Sequence, residues 1–194
     1  MKRSVLTLFF LLCLALVANA QYDKDVFNFR GRAALADGKY SEAIGHFNVL
    51  ARLDSTDCWT FFYRGIAKYN LGDLRGAQAD FNTSVRLNPV FTNGYHYRAI
   101  TLSRSGKYDE ALKDLEKALE LRPGLNGLYF SRGVTYFLAQ QFDKAVSDFD
   151  RYIRKEPKDP SAFLNRGASY LFLGDTTKAL EDYNRAVSYT HLTL

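Results

Sequence analysis

The sequence has few cysteines and only a weak excess of charge, and both features exclude classes of protein. It contains two cysteines, Cys13 and Cys58, in 194 residues. Cys13 lies in an apolar N-terminal segment that is predicted to be removed, so the mature chain would keep one cysteine and form no internal disulfide. The same removal takes away two basic residues and no acidic one, which lowers the net charge from +5 to +3. A balance this mild does not favour nucleic acid or an anionic membrane as the partner.

The patterns that usually mark a catalytic or metal site are also missing from the sequence. His46, His96 and His191 are isolated and do not have the spacing of metal ligands. The glycines occur singly, so none of them forms a phosphate-binding loop. Cys58 has no base at a spacing that would make it a nucleophile. We therefore expect no enzyme activity, no metal site and no cofactor.

One long apolar run is present, at the N-terminus. Lys2 and Arg3 precede a run from Val5 to Val17, which is followed by small residues up to Ala20. This order predicts a secretory signal peptide over residues 1–20, cleaved after Ala20, and a secreted or periplasmic protein. A retained membrane anchor is the alternative, but the run is shorter than the roughly 20 residues that a spanning helix needs. The mature chain is expected to have no membrane span.

After a short lead-in at residues 21–23, the chain repeats itself every 34 residues without an insertion. A repeat of this length predicts a stack of similar structural units rather than one compact core. The clearest copy is the stretch from Ser105 to Pro123. The predicted array covers residues 24–187, in blocks 24–57, 58–91, 92–125, 126–159 and 160–187.

Aligned positions of the blocks alternate between small and large residues. Small residues let two helix axes approach each other, and large apolar residues fill the space beside the crossing. Steps of three and four between apolar residues indicate helices rather than strands, so an all-α fold of antiparallel helical hairpins is predicted. The eighth position of a block is Gly31, Gly65, Ala99, Gly133 or Gly167, and the twentieth is Ala43, Ala77, Ala111, Ala145 or Ala179. The fourth position is Phe27, Phe61, Tyr95, Tyr129 or Phe163, and the twenty-fourth is Phe47, Phe81, Leu115, Phe149 or Tyr183.

Glycine and proline mark the predicted ends of the helices. A glycine at the end of the first helix can adopt the left-handed conformation that closes a helix, and only Gln140 interrupts that position. Proline ends the second helix of three blocks. The glycines are Gly38, Gly72, Gly106 and Gly174, and the prolines are Pro89, Pro123 and Pro157.

These positions resemble the tetratricopeptide repeat, whose length and Gly, Tyr, Ala, Phe, Pro spacing they match. The resemblance covers residue 24 to about residue 187 and implies an α-α superhelix that binds partners on its concave side. Some positions depart from the family pattern. Lys68 and Leu102 stand where tyrosine is usual, and Tyr152 stands where alanine is usual.

An arginine precedes the small residue in the first helix of every block, and an aspartate recurs in the second helix. We interpret the two series as structural ion pairs, because the planar guanidinium suits a carboxylate. The alternative is a basic surface for anionic peptides or polymers. The arginines are Arg30, Arg64, Arg98, Arg132 and Arg166, and the aspartates are Asp80, Asp114, Asp148 and Asp182, with His46 in the first block.

By analogy with the family, an apolar and aromatic set of residues is predicted to face the concave groove. Aromatic anchors of this kind suit a protein or peptide partner. The alternative for each of them is packing against a neighbouring helix. The set is Trp59, Phe62, Ile66, Tyr69, His96, Ile100, Arg104, Phe130, Val134, Phe137, Leu164 and Phe172.

These observations lead to two hypotheses for function. The first is an exported scaffold or adaptor that holds a protein or peptide partner in its groove. The second is the N-terminal recognition arm of a larger envelope enzyme or anchored protein. Residues 188–194 depart from the charged pattern of the blocks, and we interpret them as a non-native tail, with a natural short tail as the alternative. The partner and the oligomeric state do not follow from the pattern.

Overall fold

The computed structural model describes residues 24–191, with side chains up to Tyr189. The predicted signal peptide, the lead-in at residues 21–23 and the last three residues of the tail lie outside the described residues. Within residues 24–191 all regular secondary structure is helical. The all-α prediction is therefore confirmed.

Among residues 24–191, ten helices follow one another, and the length of each is close to half of a 34-residue block. The first, α1, covers residues 24–36. The others are α2 (Tyr40–Leu53), α3 (Cys58–Asn70), α4 (Leu74–Leu87), α5 (Thr92–Arg104), α6 (Tyr108–Leu121), α7 (Gly127–Leu138), α8 (Phe142–Ile153), α9 (Pro160–Phe172) and α10 (Thr176–His191).

The turn between the two helices of a hairpin has a left-handed residue at the predicted position. Gly38, Gly72, Gly106 and Gly174 have φ between 71° and 83°. Gln140 adopts the same conformation, with φ 58°, although it carries a side chain. The turn geometry is thus retained in the hairpin that lacks the glycine, at the cost of local backbone strain.

The chain divides into two compact units, Met1–Pro89 and Val90–Leu194. In the first unit, α3 packs against α2 and α4. In the second, α5 packs on α6, α7 on α8 and α9 on α10, and neighbouring hairpins meet through α6–α7, α8–α9, α5–α7 and α7–α9. The buried core of the first unit includes Ala43, Phe47 and Leu50. That of the second unit includes Leu115 of α6 and Leu128 of α7, and Phe149 and Phe163 nearer the C-terminus.

The helices of a hairpin approach each other where a glycine of the first helix faces an aromatic ring of the second. A Cβ added at Gly65 would lie 2.7 Å from Phe81 Cε1, and one at Gly133 would lie 2.8 Å from Phe149 Cε1. The same relation joins Gly31 to Phe47 and Gly167 to Tyr183. The small and large positions of the repeat are therefore in contact, as needed for close helix packing. None of the helices described has an apolar stretch long enough to span a bilayer.

Candidate functional site

The arginine and aspartate series form ion pairs within the hairpins. Arg132 Nε donates to Asp148 Oδ2 at 2.7 Å and its Nη2 donates to Asp148 Oδ1 at 2.8 Å. Both aspartate oxygens are therefore used, and Asp148 is buried. The equivalent bidentate pairs are Arg64–Asp80, Arg98–Asp114 and Arg166–Asp182, with distances of 2.6 to 2.8 Å.

Each paired arginine also lies over an aromatic ring one turn earlier in its own helix. The guanidinium carbon of Arg98 is 5.4 Å from the ring centroid of Tyr95, and that of Arg132 is 5.5 Å from the ring centroid of Tyr129. The hydrogen bonds from these arginines to Asp114 and Asp148 raise their pKa values further above the usual range. These arginines are held inside the scaffold, and their charges are already neutralised by carboxylates.

Arg64 and Arg166 extend the network to the preceding hairpin. Arg64 Nη1 donates to Asn48 Oδ1 at 2.9 Å, and Arg166 Nη1 donates to Asp150 Oδ1 at 2.5 Å. In the first hairpin the aspartate position is taken by His46, and Arg30 is exposed. The arginines of the series therefore form ion pairs in the hairpins whose second helix carries an aspartate.

In the first unit, the predicted groove residues lie at different depths. Trp59 is 42% exposed, Ile66 and Tyr69 are half-buried, and Phe62 is buried. The Phe62 ring contacts Trp59 edge-on, with centroids 5.8 Å apart, and lies 6.0 Å from Phe81. The burial of Phe62 favours the packing alternative for this residue, and its contact with a partner stays a prediction.

In the second unit, His96 is half-buried. Its Nε2 and Ser131 Oγ are joined by a hydrogen bond of 2.7 Å, which links α5 to α7. Burial disfavours the charged imidazolium and lowers the pKa of His96 to about 4. His96 is therefore a neutral polar link between two helices at ordinary pH.

The other predicted groove residues of the second unit are distributed over α5, α7 and α9. Ile100, Phe130 and Val134 are half-buried, whereas Arg104 and Leu164 are exposed. The Phe130 ring lies 5.0 Å from that of Tyr152 in α8. Partner contact by these residues stays a prediction.

Two predicted residues, Phe137 and Phe172, belong to an aromatic cluster that also includes Phe142. We call Phe137, Phe142 and Phe172 the aromatic triad. The rings of Phe142 and Phe172 are stacked, with centroids 4.7 Å apart and an interplanar angle of 7°. Phe137 contacts both rings edge-on, at 5.5 Å and 5.6 Å. Phe172 is 65% exposed.

Phe142 was not among the groove residues predicted from the sequence. It begins α8, whereas the residues predicted to face the groove all lie on the first helix of their block. A signal was present, because the equivalent positions of three other blocks also carry large apolar residues, Tyr40, Leu74 and Tyr108. Phe142 contacts the neighbouring hairpin through the Phe172 ring. The residues at the equivalent positions of the other blocks do not indicate this contact.

The described residues offer no positive support for catalysis. Cys58 is a half-buried free thiol, and burial raises its pKa, which lowers its thiolate fraction. Its Sγ accepts a long contact of 4.0 Å from Asn88 Nδ2. Among residues 24–191 no group of three or more His, Cys, Asp or Glu side chains is arranged to hold a metal ion.

The helical hairpins, their Gly–aromatic contacts and the left-handed turns define an α-helical repeat protein of the solenoid class. Models of the tetratricopeptide repeat match residues 92–125 and 130–190. The chain belongs to the tetratricopeptide-repeat family.

Solved structures of MamA have the same fold. One is described as MamA 41-end from Desulfovibrio magneticus RS-1 and is 21% identical to this chain. The match covers 87% of this chain and 96% of the MamA chain, with a TM-score of 0.80. A second is described as the crystal structure of MamA protein and is 18% identical to this chain. The match covers 87% of this chain and 92% of the MamA chain, with a TM-score of 0.76. At this level of identity the likeness concerns the fold alone. A search of curated proteins finds no match.

Proposed function

We propose that the chain is an exported adaptor that binds a protein or peptide partner, with the aromatic triad as the principal contact. Tetratricopeptide repeats imply binding of a protein partner, and the triad gives this chain a specific surface for it. The observation that carries the proposal is the exposed Phe172 ring, stacked on Phe142 and braced by Phe137.

The triad has the properties of a binding hot spot. Its three rings come from α7, α8 and α9, which pack on one another in the second unit, so the rings are held in place before a partner arrives. Leu138 and Leu173, which follow Phe137 and Phe172 in the sequence, are also exposed. An exposed cluster of apolar rings favours an apolar or aromatic segment of a partner, because binding removes both apolar surfaces from water.

Affinity capture from the envelope fraction of the source cells tests this proposal. The bait is the purified protein, compared with Phe172→Ala and with the control Leu180→Ala, which removes an exposed leucine of α10. We expect a partner that is retained by the unaltered protein and by Leu180→Ala and is reduced at least tenfold with Phe172→Ala. Equal recovery with all three baits would refute the assignment of the triad.

The exported location is a proposal based on residues 1–20. Charged, apolar and small residues follow one another there in the order of a signal peptide. Sequencing the N-terminus of the protein recovered from the source organism tests it. A mature protein that begins at Gln21 in the periplasm or medium supports export, and an uncleaved cytosolic protein contradicts it.

Exposed apolar residues on the last hairpin favour a second candidate function. Val187 is 54% exposed, whereas its equivalents Leu119 and Ile153 are 8% and 9% exposed. Leu180 is 61% exposed, whereas Leu112 is 9% exposed. Apolar residues at these positions suit coverage by a further hairpin, as in the recognition arm of a larger protein.

Sequencing the full reading frame in the source organism separates the two candidates. A catalytic or membrane-anchoring domain encoded in frame with the repeats would favour the recognition arm, whereas repeats without such a domain would favour the adaptor.

A further inference from the structure

The first unit contains a cavity that the repeat pattern does not predict. It has a volume of about 310 Å³ and is lined by Asn28, Arg32, Asp57, Trp59 and Tyr63. A second cavity of about 280 Å³ shares Asn28 and Asp57 with it, so the two are adjacent. A volume of this size lies at the small end of the range for ligand pockets in proteins.

One wall of the cavity is aromatic and is formed by Trp59 and Tyr63. The rings of Trp59 and Tyr63 are stacked, with centroids 5.7 Å apart and an interplanar angle of 27°. Trp59 is 42% exposed although it is a large apolar residue. Such a surface favours a ligand that can place a flat apolar face against it.

The remaining wall is polar and supplies both donors and acceptors. The Asn28 amide can donate and accept, and the Arg32 guanidinium can only donate. Asp57 caps α3, and its carboxylate accepts hydrogen bonds from the backbone N–H groups of Trp59 and Thr60 and from Thr60 Oγ1, at 2.6 to 3.1 Å. These bonds fix the orientation of the Asp57 carboxylate at the edge of the cavity.

The charges of the lining residues restrict the ligand further. The guanidinium carbon of Arg32 is 5.3 Å from the ring centroid of Tyr63, so this end of the aromatic surface already has a cation over it. Arg32 and Asp57 carry opposite charges, so the lining has no net charge with which to select a cation or an anion. A purely apolar side chain would remove Asn28, Arg32 and Asp57 from water without replacing their hydrogen bonds.

We propose that this cavity binds an uncharged sugar ring of a glycan. A pyranose has an apolar C–H face, which lies on Trp59, and a rim of hydroxyl groups that both donate and accept. Those hydroxyls match Asn28, Arg32 and the lone pair of Asp57 Oδ1 that the capping bonds leave free. The site lies in the first unit and does not depend on the protein partner proposed for the aromatic triad.

Intrinsic fluorescence gives a direct test, because Trp59 is the only tryptophan of the sequence. The purified protein is screened on an array of neutral glycans and then titrated with those that bind, starting with cellotetraose, maltotetraose and the N-acetylglucosamine tetramer. We expect a saturable change of Trp59 fluorescence with at least one of them. Absence of binding across the array and the titrations would overturn the proposal.

Variants that keep Trp59 identify the site. Arg32→Ala and Asn28→Ala are expected to weaken binding at least tenfold, while Arg154→Ala, at an exposed position of the second unit, leaves it unchanged; circular dichroism verifies that each variant is folded. Unchanged affinity in folded Arg32→Ala and Asn28→Ala variants would overturn the proposal. Competition by a peptide alone, with no effect of any glycan, would also overturn it and assign the cavity to a protein ligand.

Discussion

Among single residues, the glycine at the eighth position of the repeat is matched to the ring across the hairpin. Glycine occurs where the facing residue is Phe47, Phe81, Phe149 or Tyr183. The one alanine at that position, Ala99, belongs to the hairpin in which the facing position is Leu115. The absence of a Cβ therefore makes room for an aromatic ring, and a leucine leaves room for a methyl group.

This relation predicts that Gly133→Ala and Phe149→Leu are coupled. Alone, Gly133→Ala places a Cβ 2.8 Å from Phe149 Cε1 and should lower the free energy of unfolding by about 1–3 kcal/mol. In a Phe149→Leu background the same change should be close to neutral. Urea unfolding of the four proteins measures the coupling, and strictly additive effects would contradict the explanation.

Gln140 is a second position where one residue departs from its equivalents. Its φ of 58° is left-handed, which glycine adopts without strain. Gln140→Gly should therefore raise the free energy of unfolding by roughly 0.5–1 kcal/mol, after the entropy of the unfolded chain is included. The control Gln141→Gly, at φ −96°, should give no gain. Thermal unfolding measures both, and an equal effect of the two changes would be inconsistent with strain at Gln140.

His96 should make stability depend on pH. Its folded pKa of about 4 is below the ordinary 6.5, so between these values the unfolded chain binds more protons. Stability is fully present above pH 6.5 and falls as the pH falls toward 4, by the order of 1–2 kcal/mol between pH 7 and 5. His96→Gln should remove this slope. Urea unfolding at several pH values measures it, and identical slopes for the two proteins would show that His96 is not the cause.

Among helices, the arginine–aspartate pairs join the two helices of a hairpin. Their register follows from the sequence, because the two residues recur at constant positions of a 34-residue block. Arg64 and Arg166 each make a third hydrogen bond, to Asn48 and to Asp150 of the preceding hairpin. This bond does not follow from the sequence of one block. It depends on the residue that the preceding hairpin presents, and that position varies along the chain.

Arg132→Ala is predicted to destabilise the protein by about 2–4 kcal/mol, because it leaves the buried Asp148 carboxylate without its partner. Arg154→Ala, at an exposed position, should change stability by less than about 0.5 kcal/mol. Melting temperatures measured by circular dichroism compare the two. An unchanged melting temperature in Arg132→Ala together with lost partner binding would favour the alternative of a basic binding surface.

For the molecule as a whole, the family and the all-α fold could be predicted from the sequence, because each block repeats the same small, large and turn residues. The sequence was less informative for the candidate sites. The aromatic triad needs Phe142 from a second helix, and the Trp59 cavity needs Asn28 and Arg32 from the preceding hairpin. Both sites depend on which side chains adjacent hairpins bring together, and that information is not contained in a single repeat.

The central claim is that the protein binds a partner through the aromatic triad. Its most direct test is photo-crosslinking in the source cells, with p-benzoylphenylalanine in place of Phe172 or, as the control, of Leu180. Both side chains are largely exposed, so both positions can react with a bound protein. The account predicts a crosslinked partner at position 172 and none at position 180. No adduct at position 172, or equal adducts at both positions, would contradict it.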